Sequence, residues 1–208
     1  MELIRKYFPD LTNAQYDKLS RLGDLYSDWN GKVNLISRKD MDHFYERHVL
    51  HSLSLAYFVR FRSFAQVLDV GTGGGFPGIP LAIIFPETNF TLVDSIRKKV
   101  RVVDDVAAHL SLSNVRAIHS RAENIKGGYD YIVSRAVTAM PRFVGWTAGL
   151  LKKGEKLSPD GGIWYLKGGD LKEELAGFSN YKIFNLADVF EEEFFETKKL
   201  VYLPSNAL

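Results

Sequence analysis

From residue 65 onward the hydrophobic positions come in short runs separated by longer stretches with helical spacing. The runs predict strands at 66–70, 89–93, 114–118, 129–134, 162–166, 181–186 and 199–203. Strands alternating with helices imply a mostly parallel, doubly wound sheet. Before residue 65 the pattern is different. Thr12-Asn13-Ala14-Gln15 has the form of a capping box, and Tyr16, Leu19, Leu22, Tyr26 and Trp29 then recur at helical spacing. A turn is expected at Asn30-Gly31, followed by a second helical segment over 40–61. The chain thus divides into an N-terminal helical extension, 1–64, and an α/β domain, 65–208.

Composition narrows the chemistry. The 208 residues are 46% hydrophobic, enough for an ordinary core. There is no cysteine, which excludes disulfides, thiolate metal sites and a cysteine nucleophile. No apolar run approaches a membrane span, and Met1 to Lys6 lack a signal-peptide core, so a cytoplasmic protein is expected, and a monomer. The net charge of +2 conceals an asymmetry: positive charges are in excess through residue 154 and negative charges after it. Such a body permits a polyanionic partner. His48 and His51 share a helix face, but no third ligand lies nearby in the sequence, and no metal is expected.

The stretch from Val67 to Ser95, VLDVGTGGGFPGIPLAIIFPETNFTLVDS, carries the most specific signal. A dinucleotide fingerprint G-x-G-x-x-G fits only from Gly73 to Gly78, with Pro77 inside it. The spacing D-x-G-x-G-x-G, from Asp69 through Gly71 and Gly73 to Gly75, fits directly after the strand. An acid at that strand end would repel a pyrophosphate but suits an adenosyl ligand with an amino-acid head and a sulfonium. Pro77 and Pro80 also remove donors from a helix start that would otherwise bind phosphate. S-adenosylmethionine is therefore expected over NAD, with Gly71 and Gly73 in the loop. Asp94, at the second strand's end, would accept hydrogen bonds from the ribose, as it would for either cofactor. Ser120-Arg121-Ala122-Glu123 follows the third strand, where an adenine edge would be met.

The fourth strand ends in Ser134-Arg135-Ala136 and lacks the Asn/Asp-Pro-Pro-aromatic run of amine methyltransferases. Without cysteine, covalent C5-pyrimidine chemistry is disfavoured too. An acceptor that is already nucleophilic, such as a ring nitrogen, remains; it needs alignment and little proton transfer. Arg135 and Arg121 are the positioning candidates, and no general base is identified. Arg47, His48 and Lys167 lie at predicted element ends and are candidates for RNA contact. A binding module without catalysis and a small-molecule methyltransferase are the competing classes.

The run VLDVGTGGGFPGIPLAIIFPETNFTLVDSIRKKVRVV resembles the bacterial 16S ribosomal RNA guanine-N7 methyltransferases, the glucose-inhibited division protein B family. The resemblance extends to Trp29-Asn30, Asn34-Leu35-Ile36-Ser37, Arg47-His48, Ser120 to Glu123, Ser134 to Ala136 and Leu166-Lys167-Gly168. It implies a Rossmann-like, seven-stranded S-adenosylmethionine-dependent methyltransferase fold. It also implies methylation of the guanosine conventionally numbered 527, in 16S rRNA or in the small ribosomal subunit or its precursor. By the same match the cofactor is expected at Gly71, Phe76, Ala122, Glu123 and Arg135. Two places depart from the family pattern: a charged segment at 152–162, and Lys198-Lys199 where an arginine is usual.

Overall fold

The computed structural model describes residues 1–153 and 160–208; the charged segment at 152–162 falls largely outside them. The strands are β1 (Gln66–Val70), β2 (Asn89–Asp94), β3 (Val115–His119), β4 (Tyr131–Arg135), β5 (Gly162–Gly168), β6 (Lys182–Asn185) and β7 (Lys198–Pro204). They form one sheet in the order β3-β2-β1-β4-β5-β7-β6. The pairs from β3 to β5 are parallel, and β7 runs antiparallel to both of its neighbours. Each strand lies within two residues of its expected bounds. The expected doubly wound, seven-stranded α/β fold is the observed one. The order reverses between β1 and β4, and a ligand crevice belongs outside their carboxyl ends.

The N-terminal region is helical but less regular than its pattern suggests. Helix α1 (Glu2–Tyr7) precedes the first expected helix and buries Ile4 completely. Helix α2 (Asn13–Asn30) starts at the expected capping box: the Gln15 N–H donates to Thr12 Oγ1, and the Thr12 N–H to Gln15 Oε1. The single helix expected over 40–61 is instead four short pieces. These are α3 (Arg38–Met41), a π-helical turn (Tyr45–Leu50), α4 (His51–Leu53) and a 3₁₀ turn (Ser54–Tyr57). Side chains intrude on the backbone ladder there. Arg135 Nη1 donates to the Arg47 carbonyl, and Ser52 Oγ to the His48 carbonyl. Such intrusions are a recognised cause of widened helical turns, which often mark functional sites.

Helices α5 (Gly78–Ile84), α6 (Arg97–His109), α7 (Met140–Thr147) and α8 (Lys172–Leu175) complete the layers. Alternation along β1 sends Val67 to one face, where α2, α5 and α6 pack, and Leu68 and Val70 to the other, where α7 and α8 pack. The N-terminal helices share the first of these cores. Tyr16, Leu19, Leu22 and Tyr26 are buried in it, and Trp29 Nε1 donates to Asp105 on α6 at 2.6 Å. Among the described residues no helix is long and apolar enough to cross a membrane.

Glycines in the loop after β1 answer different constraints. A Cβ on Gly78 would lie 2.7 Å from both Asp69 Oδ2 and Leu92 Cγ, so this position needs glycine for packing. A Cβ on Gly73 would meet no atom within 4 Å, and only its φ of +59° opposes a side chain. Gly78→Ala should therefore cost about 1–3 kcal/mol through overpacking. Gly73→Ala should cost about 1 kcal/mol, from its left-handed backbone. Urea denaturation of both variants checks the order; equal or reversed costs would contradict it.

Candidate active site

Two buried carboxylates shape the loop that joins β1 to α5. Asp69, fully buried, accepts the Thr72 hydroxyl at 2.6 Å and the Gly78 N–H at 2.9 Å, both at Oδ2. Its Oδ1 has no hydrogen-bond partner. Asp94 accepts the Gly73 N–H at Oδ2 (2.9 Å) and the Ile96 N–H at Oδ1 (2.8 Å). Two loop amides thus point at carboxylates. The expectation that the Asp69 carboxylate suits a ligand with an amino-acid head and a sulfonium is corrected by this geometry: Asp69 is fully buried, and its hydrogen bonds go to the loop, whose shape it holds. Tyr26 of α2 donates to the Gly74 carbonyl at 2.5 Å, so the N-terminal helices also brace the loop.

A cleft of about 330 Å³ opens outside the carboxyl ends of β1 to β4. Gly71, Asp94, Arg121, Ala122 and Glu123, all expected at the site, line it. Asp94 keeps only 8% of its surface exposed, at the cleft's floor. The sequence reading missed Ile96, Val137 and Trp146, which also line the cleft. Ile96 and Val137 are among the few large apolar side chains exposed, at 47% and 37%. An apolar residue two positions after Asp94 was the available signal, but Ile96 precedes α6 and falls outside the helix's periodicity. Nothing in the sequence brings Trp146 to the cleft, since it comes from the far side of the β4–α7 connection.

Four of the remaining expected residues, Phe76, Arg135, Arg47 and His48, cluster together. Phe76 is buried among Tyr26, Phe44 and His48, with ring centroids 4.8, 5.9 and 5.3 Å away. The half-buried Arg135 guanidinium lies 5.2 Å over the Phe76 ring. Its two bonds to the N-terminal segment are Nη1 to the Arg47 carbonyl and Nη2 to His48 Nδ1, each 3.0 Å. Arginine only donates, so Nδ1 accepts and the His48 proton sits on Nε2. Burial, and then the adjacent Arg135 charge, push the His48 pKa down to about 3, keeping the ring neutral. His51 is likewise held far below its ordinary value by burial, against Phe194 and Phe195. The Arg47 guanidinium pairs with Asp40 at 2.8 Å. Lys167 is nearly buried: its Nζ donates to the Thr138 carbonyl at 2.8 Å and pairs with Glu174 at 2.5 Å.

Burial raises the Asp69 pKa to about 7, against the lowering effects of its two hydrogen bonds and of the Arg135 charge. The folded chain therefore binds this proton more tightly than the unfolded chain, where an aspartate titrates near 3.8. Stability from this group is complete below that value and is lost as pH rises toward 7. Relative to Asp69→Asn, the wild type should lose about 2–4 kcal/mol of stability between pH 4 and 8. Parallel urea-denaturation profiles for the two proteins would contradict this.

Comparison with known proteins places this geometry. A family model described as rRNA small subunit methyltransferase G matches residues 15–200. The chain is 57% identical, over 98% of each sequence, to the ribosomal RNA small subunit methyltransferase G of Flavobacterium psychrophilum. It is 51% identical to that of Bacteroides thetaiotaomicron, over 97% of this chain and 98% of the relative. Among solved structures, a SAM-dependent methyltransferase from Aquifex aeolicus aligns with a TM-score of 0.57 at 15% identity, over 80% of this chain and 97% of that one. Precorrin-6y C5,15-methyltransferase from Geobacter metallireducens gives 0.54 at 13% identity, over 81% and 90%. These two likenesses concern the fold. The match along nearly the whole sequence establishes more: the chain belongs to the ribosomal RNA small subunit methyltransferase G family.

Proposed function

We propose that this chain transfers a methyl group from S-adenosylmethionine to N7 of a guanosine in 16S ribosomal RNA. The observation that carries the cofactor choice is the pair of acids under the loop. The Gly78 and Gly73 amides donate to Asp69 and Asp94, so neither is left to donate to the oxygens of a pyrophosphate. An adenosyl group without phosphate fits that cradle. Asp94 retains lone pairs for ribose hydroxyls beyond the two amides it accepts. Ala122 and Glu123 line the same cleft as the exposed side chains of Ile96 and Val137, which suits them to reading an adenine edge.

The bound cofactor supplies a methyl group on a positively charged sulfur, so the acceptor needs only an aligned lone pair. Guanine N7 provides one without deprotonation, at the purine's major-groove edge. Family membership supports ribosomal RNA as its source. Arg135 has five N–H donors and commits two to Arg47 and His48. The others can serve the cofactor's carboxylate or guanine O6, offsetting charge that develops on the ring. The joint it makes also links the end of β4 to residues 1–64, the part, Arg47 included, that we assign to RNA together with Arg121. To enter the cleft the base must be unpaired or splayed out, as in an rRNA loop.

The test is transfer of labelled methyl from S-adenosylmethionine to ribosomal RNA or 30S particles from a strain lacking the gene. Borohydride and aniline then cut the RNA at N7-methylguanosine. A single new cut in the 16S RNA is expected. Label without a cut would indicate another acceptor atom, and no label in any RNA would overturn the assignment.

A further inference from the structure

We propose that Tyr165, on β5 and outside the cleft, is a positioning residue that sets the cofactor-facing wall formed by the turn after β4; the proposal rests on the cofactor reading above. Ala136 and Val137 of that turn line the cleft. Val137 packs so closely over Gly71 that a Cβ there would come within 2.4 Å of its Cγ2. Ala136 has φ +54°, a conformation unfavourable for alanine, so the turn is held against its own preference.

The holding groups come from β5 and α8. Tyr165 is fully buried, and its hydroxyl accepts the Val137 and Thr138 N–H groups and donates to the Thr138 carbonyl, each at 2.9 Å. That satisfies a phenolic oxygen completely. Lys167 donates to the same carbonyl, and Glu174 accepts the Met140 N–H at 2.6 Å while pairing with Lys167. Three backbone N–H donors of the turn and the following helix start, at Val137, Thr138 and Met140, are thus bound by side chains that do not line the cleft. A phenylalanine at 165 would keep the ring's packing on Phe143, at 4.5 Å between centroids, and remove only the latch.

The experiment is titration calorimetry with S-adenosylmethionine on the wild type, Tyr165→Phe, Val137→Ala and the double variant, all well below their unfolding temperatures. Tyr165→Phe removes the partner of the part-buried Val137 and Thr138 N–H groups and should weaken binding about tenfold. If the latch acts through Val137, the double variant's loss should fall clearly short of the product of the single losses. Lys167→Met, which removes the second donor to Thr138, should weaken binding by a smaller factor and serves if Tyr165→Phe does not fold. Lowered stability with cofactor affinity within twofold of wild type overturns the proposal, as do multiplying losses in the double variant. A wild type that does not bind S-adenosylmethionine instead overturns the cofactor reading.

Discussion

One fully buried carboxylate governs the architecture of the site. Asp69 takes the Thr72 hydroxyl and the first N–H of α5, and a glycine at 78 is what lets the helix approach it. The arrangement is costly, because a charged carboxylate loses its hydration and one of its oxygens has no partner. What the fold gains is a loop whose backbone faces outward in one conformation, ready for a ligand without reorganisation. Asp94 repeats the device one strand over, tying Gly73 to the start of the next helix connection. Together the two acids make the ends of β1 and β2 a preorganised edge of the cleft.

The second constraint is the joint between the α/β domain and the N-terminal helices. Phe76 comes from the loop after β1 and Arg135 from the end of β4, yet both are packed against residues of the N-terminal segment. The His48 ring can accept from Arg135 only while neutral, and its burial ensures that state. Tyr26 reaches the same loop from α2. An RNA that engages the N-terminal helices would therefore bear on the cofactor loop through hydrogen-bonded contacts, which gives a physical route from substrate docking to alignment of the methyl group.

Much of this was legible in the sequence, for identifiable reasons. Strand periodicity and the acid-glycine spacing report backbone geometry directly, so the sheet was found where expected, and Asp94, Ala122 and Glu123 line one cleft at its strand ends. The helix over 40–61 was misjudged because its disruption comes from Arg135, which lies far along the chain. Asp69 was rightly singled out, but its direction depends on the approach of Gly78 and Leu92, which no local pattern encodes. Lys167, at a strand end, is a candidate for RNA contact from the sequence; its partners in the fold, Glu174 and the Thr138 carbonyl, are set by tertiary packing. The side chains that the sequence placed least well are those whose partners come from another element.

The central claim is that the acid-held loop forms an adenosyl site unsuited to a pyrophosphate. Isothermal titration of the purified chain with S-adenosylmethionine and, separately, with NAD tests it most directly. The account predicts saturable binding of S-adenosylmethionine at one site per chain and no comparable binding of NAD. Tight NAD binding with none for S-adenosylmethionine would contradict it.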